Sequence, residues 1–197
     1  MPTSRLEAFS DGVLAIIITI MVLELRSPDG PALSDLADSA TSFLTYLLSF
    51  VYIGIYWSNH HHLFQLVRRI DGTVLWANLH LLFWLSLYPF TTKWMDETGL
   101  AQTPVVVYGV NLLAAAIAYY ALQLAILRAE GDDGVLREAL GRDYKGKLSP
   151  VLYLAGIVAA IWVVVWLALV FYAAVAAMWL VPDRRMESFV ATHGSST

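Results

Sequence analysis

Long apolar runs separated by short polar segments dominate the pattern of this chain. A helix that crosses a membrane needs roughly 20 predominantly apolar residues. Runs of about this length are predicted as spans at residues 6–26, 39–59, 73–94 and 102–128, and a longer apolar stretch covers residues 148–182. The pattern therefore predicts an all-α, polytopic membrane protein.

The last apolar stretch raises the question of one helix or two. As a single helix it would be about 50 Å long at 1.5 Å per residue, which exceeds a hydrocarbon core of roughly 30 Å. Two helices, at residues 148–164 and 166–182, would each be short. No glycine, proline or charge marks a turn between Trp162 and Trp166, so the local sequence leaves the choice open.

Positive charge decides between five and six spans, because cytoplasmic loops carry an excess of Lys and Arg. With six spans and a cytoplasmic N-terminus, ten of the twelve basic residues lie inside and only Arg26 and Lys93 lie outside. The ten are Arg5, Arg68, Arg69, Arg128, Arg137, Arg142, Lys145, Lys147, Arg184 and Arg185. With five spans the last two arginines move outside, so the bias favours six spans with both termini cytoplasmic.

Composition indicates a single domain, residues 1–197, with small loops. The chain is 58% hydrophobic and 14% charged, whereas a soluble domain has about 25% charged residues. The net charge of −4 does not indicate a nucleic-acid partner, and the absence of cysteine excludes disulfides and thiolate metal sites. No catalytic or nucleotide-binding motif occurs, so neither an enzyme nor a cofactor is expected.

A polar cluster, Arg5-Leu6-Glu7-Ala8-Phe9-Ser10-Asp11, opens the first apolar segment. Charges inside a membrane helix are costly, so they need partners or an interfacial position. Arg5 and Asp11 lie about 120° apart on an ideal helix, and each should find its partner on another helix or another subunit. Interfacial anchoring, in which the charges reach the headgroups, is the alternative.

An apolar stripe follows the cluster on the same helix. Ile16, Ile20 and Leu23 share one face, with Thr19 beside them, and Asp11 lies about 140° from Ile16. Asp11 is therefore expected to point towards neighbouring helices. A stripe of this kind usually faces lipid or an ordinary helix contact, and its residue types alone do not indicate a pore.

Three consecutive histidines, His60 to His62, end the second predicted span. Adjacent helical residues point in different directions, whereas a helical zinc site prefers spacing i, i+4, so no metal site is expected. One or two of these histidines should meet the Arg5 and Asp11 cluster, which lies at the same cytoplasmic level. Three other polar residues are expected to hydrogen-bond between helices: Asn78, His80 and Asn111.

The chain resembles prokaryotic members of the transmembrane protein 175 family, the lysosomal-type potassium channels. The resemblance covers nearly the whole chain. It rests on Arg5-x-x-x-Phe9-Ser10-Asp11 leading into Gly12–Ile16, and on the segments Tyr56–His62, Phe83–Phe90 and Pro182–Arg185. It implies six helices per subunit and a homotetramer whose central pore is lined by the first helix.

The family has an apolar pore constriction instead of a carbonyl filter. Carried onto this sequence, the resemblance places Ile16, Ile20 and Leu23 at the constriction, with Thr19 tied to selectivity. It also implies a network that braces the first helix, made of Arg5, Phe9, Ser10 and Asp11 with His60 or His61.

These expectations describe a potassium channel, modestly selective over sodium, in a prokaryotic plasma membrane. Its partners would be other copies of itself, membrane lipid and the permeant potassium ion. Acidic residues at the outer mouth, Glu24 among them, would concentrate cations. Two alternatives stay open: a proton-conducting channel with Asp11 and the histidines as relays, and a non-conducting membrane scaffold.

Overall fold

The computed structural model describes residues 3–65, 67, 69–131 and 144–180. Every regular element in these residues is an α-helix, which confirms the all-α class for this part of the chain. The helices are α1 (Thr3–Leu23), α2 (Leu33–Asp38), α3 (Ala40–Gln65), α4 (Gly72–Ser86), α5 (Tyr88–Glu97), α6 (Gln102–Glu130), α7 (Tyr144–Trp162) and α8 (Val165–Leu180). The Pro182–Arg185 motif lies outside the described residues, as do Arg68, Arg137 and Arg142.

Helices α1, α3 and α6 are each long and apolar enough to cross a membrane, and α8 is apolar but shorter. Helix α1 packs against α3, α4 and α5, whereas α6 packs against α4, α5, α7 and α8. The bundle therefore has α6 at its centre and α1 at one side.

The predicted third span, residues 73–94, is interrupted in the structure. Helix α4 starts after Asp71, whose carboxylate accepts a hydrogen bond of 2.8 Å from the backbone N–H of Val74. It ends at Ser86, and α5 begins at Tyr88 with Pro89 in its first turn. Proline lacks the N–H that a continuous helix would use, and its ring restricts the residue before it. The sequence pattern predicted one helix because Leu87, Tyr88 and Phe90 continue the apolar run of α4 across the break.

A two-residue turn, Val163 and Val164, joins α7 to α8. The turn is completed by Gln102 at the start of α6, whose side-chain amide donates to the carbonyls of Ala160 and Ile161, both at 2.9 Å. The last carbonyls of a helix have no partner within it. A residue distant in sequence satisfies them here, so the turn has no glycine or proline of its own.

Buried tyrosines form the core where the helices beyond α1 meet. Five of them are at most 2% exposed: Tyr52, Tyr88, Tyr108, Tyr153 and Tyr172. The ring of Tyr172 lies against Gly109 and Gly156, where a Cβ atom would overlap it. These two glycines thus allow α8 to approach α6 and α7 closely.

Candidate functional site

Helix α1 has a packed face and an uncovered face. Its buried residues recur every three or four positions and are Leu6, Ser10, Leu14, Ile17 and Met21. The predicted stripe is exposed in the single chain: Ile16 by 61%, Ile20 by 42% and Leu23 by 78%. At 100° per residue the centre of the stripe lies roughly 110° from the centre of the buried face. The described residues of the chain therefore leave the apolar surface of the stripe uncovered, in contrast to the buried core.

Thr19, beside the stripe, is also exposed. Its hydroxyl donates to the carbonyl of Ala15 one turn earlier, at 2.8 Å. Such a bond fixes the side chain against its own helix. The lone pairs of the hydroxyl oxygen remain available to accept a hydrogen bond on the exposed side of the helix.

A buried chain of hydrogen bonds connects α1 to α4 and α3. Asn78 Nδ2 donates to Ser10 Oγ at 3.0 Å, and Asn78 Oδ1 lies 2.8 Å from His60 Nε2. Ser10 in turn donates to the carbonyl of Leu6 at 2.9 Å. His60 is 2% exposed and its ring stacks on Phe64 with a centroid distance of 4.3 Å. These bonds run in one direction if His60 carries its proton on Nε2, and then His60 Nε2, Asn78 Nδ2 and Ser10 Oγ each donate one bond.

Two more contacts hold α1 against α3 closer to the surface. Glu7 Oε1 lies 2.6 Å from His61 Nδ1, and Gln65 Nε2 lies 2.9 Å from His61 Nε2. The indole N–H of Trp57 donates to Asp11 Oδ1 at 3.1 Å. Both predicted histidines are therefore connected to α1, His60 through Asn78 and His61 through Glu7.

The structure divides the Arg5-x-x-x-Phe9-Ser10-Asp11 motif between these two faces. Ser10 and Asp11 contact α4 and α3, and Asp11 points towards a neighbouring helix as its helical position predicts. Arg5 is exposed and makes no hydrogen bond or ion pair with any described residue. Phe9 is 53% exposed. Among the described residues, Ser10 and Asp11 contact other helices and brace α1, whereas Arg5 and Phe9 do not.

Ion pairs tie the segment that follows α1 to α5. Glu24 pairs with Lys93, and Arg26 Nη2 lies 2.6 Å from Glu97 Oε1. Glu24 is therefore paired in the folded chain, and its expected role in attracting cations stays a prediction. Its partner Lys93 is the basic residue of α5, and sequence spacing did not reveal this pairing.

Three functional contacts of α1 were missed or only partly foreseen. Glu7 and Trp57 were not assigned to the bracing network, and Asn78 was expected to bond between helices without a named partner.

His80 differs from its expectation, since its Nε2 accepts from Trp84 at 3.0 Å within α4 itself. Asn111 does bond between helices, but weakly, donating to Thr91 at 3.4 Å. For Glu7, Trp57 and Asn78, the signal available in the sequence was their position near the predicted cytoplasmic level of the motif.

Nothing in this arrangement brings three metal-ligating side chains together within the described residues. His60 bonds Asn78, and His61 bonds Glu7 and Gln65, so the two histidines do not face a common metal position. The site consists of a polar anchor on one side of α1 and an uncovered apolar stripe on the other.

Comparisons with known proteins agree on one family. A family model described as endosomal/lysosomal potassium channel TMEM175 matches residues 5–89. A potassium channel of Chryseobacterium sp. (strain P1-3) is 51% identical over 187 residues, which cover 95% of this chain and 97% of that protein. The crystal structure of a lysosomal potassium-selective channel TMEM175 homolog from Chamaesiphon minutus has a TM-score of 0.78 at 32% identity, over 90% of this chain and 96% of that one. A zebrafish (Danio rerio) endosomal/lysosomal proton channel TMEM175 is 30% identical over 128 residues, covering 62% of this chain and 24% of the relative.

Proposed function

The chain belongs to the TMEM175 family of potassium channels, and we propose that four copies surround a central pore lined by α1. The protein is an integral membrane potassium channel. In the proposed assembly Ile16, Ile20 and Leu23 form the constriction, and Thr19 stands beside it.

The observation that supports this assignment is the contrast between the two sides of α1. Polar contacts from Glu7, Ser10 and Asp11 fix the helix to α3 and α4. A helix that only faced lipid would not need polar contacts of this kind, least of all the buried one between Ser10 and Asn78, because polar groups are costly to place in a membrane. The stripe stays uncovered along the same helix, as a surface that meets other subunits or a pore would be.

Four copies of the stripe would form stacked apolar rings. Rings of this kind close a pore by expelling water when they are narrow. When they are wider, an ion passes only after losing part of its hydration, with little replacement from the protein. Potassium holds its water less tightly than sodium, so the neck favours potassium modestly.

The topology that fits this pore has six spans per subunit, with both termini in the cytoplasm of a prokaryotic cell. The spans are α1, α3, the pair α4 and α5, α6, α7 and α8. The distribution of basic residues supports this orientation. The exposed Arg5 and Phe9 then lie at the cytoplasmic end of the pore helix, where we assign them to contacts between subunits.

Potassium flux into proteoliposomes tests the pore assignment through Ile16→Asn. An amide in the neck attracts water and relieves dehydration, so flux should rise and the preference for potassium over sodium should fall. Ile117→Asn on α6 is the matched control, because Ile117 is 53% exposed and Ile16 is 61% exposed. If Ile16→Asn leaves both rate and selectivity at wild-type values, α1 does not line the pore.

Proton conduction along α1 is the second candidate function. The zebrafish relative is named a proton channel, and the Glu7–His61 pair gives a titratable contact beside α1. A current driven by a pH gradient in the absence of potassium would favour this candidate, provided that Glu7→Gln reduces it. If the protein is a scaffold that conducts no ion, neither potassium flux nor proton current should be detected.

A further inference from the structure

A cavity of about 50 Å³ lies between α3, α6, α7 and α8, and no residue of α1 lines it. One end, the Gly146 end, lies where α7 begins and α8 ends, because Gly146 and Trp179 both line the cavity there. Tryptophan is enriched at this level of membrane proteins, where the helices reach the membrane surface. Most of the wall is aromatic: Tyr52, Tyr56, Tyr119, Tyr120, Tyr153 and Trp179.

Two polar groups in the wall lack a partner. Gln123 is 7% exposed and Tyr56 is 8% exposed, and both line the cavity. Neither the amide of Gln123 nor the hydroxyl of Tyr56 makes a hydrogen bond with any described residue. Ser149 in the same wall differs, since it accepts from the indole of Trp179 at 2.8 Å and donates to the Lys145 carbonyl at 2.7 Å. A buried polar group without a partner destabilises a fold, so these two groups indicate a ligand that bonds them.

The lining restricts the charge of that ligand. None of the described residues that line the cavity is charged. An ion among these rings would lose its hydration without gaining a counter-ion, which is costly. A wholly apolar ligand would leave Gln123 and Tyr56 unpaired. The group inside the cavity is therefore neutral and carries hydroxyls, which both donate and accept hydrogen bonds.

Volume restricts the size of the enclosed group. A buried water molecule needs roughly 10–15 Å³ on this scale, and an apolar cavity that binds benzene measures about 150 Å³. The cavity of about 50 Å³ therefore encloses roughly three or four non-hydrogen atoms. A terminal diol, with two carbons and two oxygens, has this size.

Positive charge surrounds the Gly146 end. Gly146 lies between Lys145 and Lys147 in the sequence, and the Nζ atom of Lys145 lies 5.8 Å from the centre of the Trp179 ring. Lys147 is exposed and makes no ion pair with any described residue. Basic residues at a membrane surface attract anionic lipids. The part of the ligand that stays outside the cavity is therefore expected to be a lipid phosphate.

We propose that this cavity binds the glycerol phosphate head group of phosphatidylglycerol. The terminal diol enters the cavity and bonds Gln123 and Tyr56. The phosphate stays at the Gly146 end beside Lys145 and Lys147, and the acyl chains remain in the membrane. This site is separate from the stripe on α1, so the inference does not depend on where the potassium pore lies.

The test compares phosphatidylglycerol with phosphatidylpropanol in mixed detergent micelles, with bound lipid measured by native mass spectrometry. The two lipids have the same charge and the same number of head-group carbons, but phosphatidylpropanol lacks both hydroxyls. The wild-type protein should bind phosphatidylglycerol at least about fivefold more tightly, the factor that corresponds to one hydrogen bond of ~1 kcal/mol. Soluble glycerol 3-phosphate at the same concentration should not displace it, because it has no acyl chains.

Gln123→Leu and Tyr56→Phe should each reduce this preference towards equal binding, and both should fold because neither loses a bond within the described chain. Replacing Lys145 and Lys147 by glutamine should weaken both lipids alike and keep the preference. Asn111→Leu is the matched control, because Asn111 is a buried amide of α6 that does not line the cavity; its preference should equal that of the wild type.

Equal binding of the two lipids by the wild type would overturn the proposal, since the cavity would then hold only water. A preference that survives both Gln123→Leu and Tyr56→Phe, or that Asn111→Leu loses equally, would place the lipid elsewhere. Displacement by glycerol 3-phosphate in the wild type but not in Gln123→Leu would show that the cavity takes a soluble molecule instead of a lipid.

Discussion

Replacing Asn78 by leucine is the sharpest test of how α1 is held in the subunit. The two side chains have similar size, so the change removes hydrogen bonds without opening a large cavity. Asn78 is completely buried and bonds both Ser10 on α1 and His60 on α3. The substitution therefore breaks both bonds of the buried chain at once.

The two losses differ in cost. Ser10 keeps its bond to the Leu6 carbonyl. Losing the bond from Asn78 to Ser10 should therefore cost close to ~0.6 kcal/mol, the average for hydrogen bonds between membrane helices. His60 has no substitute partner, because it is 2% exposed and its Nδ1 is already unpaired among the described residues. An isolated buried N–H costs about 1–3 kcal/mol. The two losses together should lower the free energy of unfolding by about 2–4 kcal/mol per chain. The equilibrium constant for unfolding then rises by at least roughly 25-fold.

Unfolding in mixed detergent micelles, titrated with a denaturing detergent and followed by circular dichroism, measures this change. Asn111→Leu is the control, since Asn111 is 3% exposed, its Oδ1 has no described partner and its one bond is 3.4 Å long. That variant should lie within about 0.5 kcal/mol of the wild type or be more stable. The reasoning fails if both leucine variants lose equal stability, or if Asn78→Leu loses less than about 0.5 kcal/mol.

Two further predictions concern packing and the turn between α7 and α8. Gly156→Ala should lower the free energy of unfolding by about 1–3 kcal/mol, because its Cβ would overlap Tyr172; Gly54→Ala, which meets nothing within 4 Å, should be neutral or stabilising by up to ~1 kcal/mol. Equal thermal midpoints for these two variants would contradict the close approach of α8. Gln102→Ala should cost about 1 kcal/mol by releasing the last carbonyls of α7, and Gln102→Glu should cost more because a carboxylate cannot donate. A midpoint for Gln102→Glu at or above that of Gln102→Ala would refute the capping role.

Features that depend on local sequence were predictable, whereas those that depend on distant side chains were not. The helical class follows from the apolar runs, and the direction of Asp11 follows from helical geometry alone. The turn at Val163 and Val164 gives no local signal, because Gln102 completes it from 58 residues away. Likewise, the pairing of Glu24 with Lys93 requires the folded position of α5. Spacing along one helix reveals its faces but not the side chains that another helix brings to them.

The polar motif has a physical role even though it lies away from the proposed constriction. From Gly12 to Leu23, α1 is apolar on nearly all sides, so hydrophobic packing alone does not decide which side of the helix faces the bundle. Glu7, Ser10 and Asp11 lie within an arc of roughly 100° on the helix, and the centre of that arc is roughly 160° from the stripe. Their hydrogen bonds to α3 and α4 are directional, unlike apolar contacts. They therefore fix the rotation of α1 about its axis, and that rotation determines that Ile16, Ile20 and Leu23 face outwards.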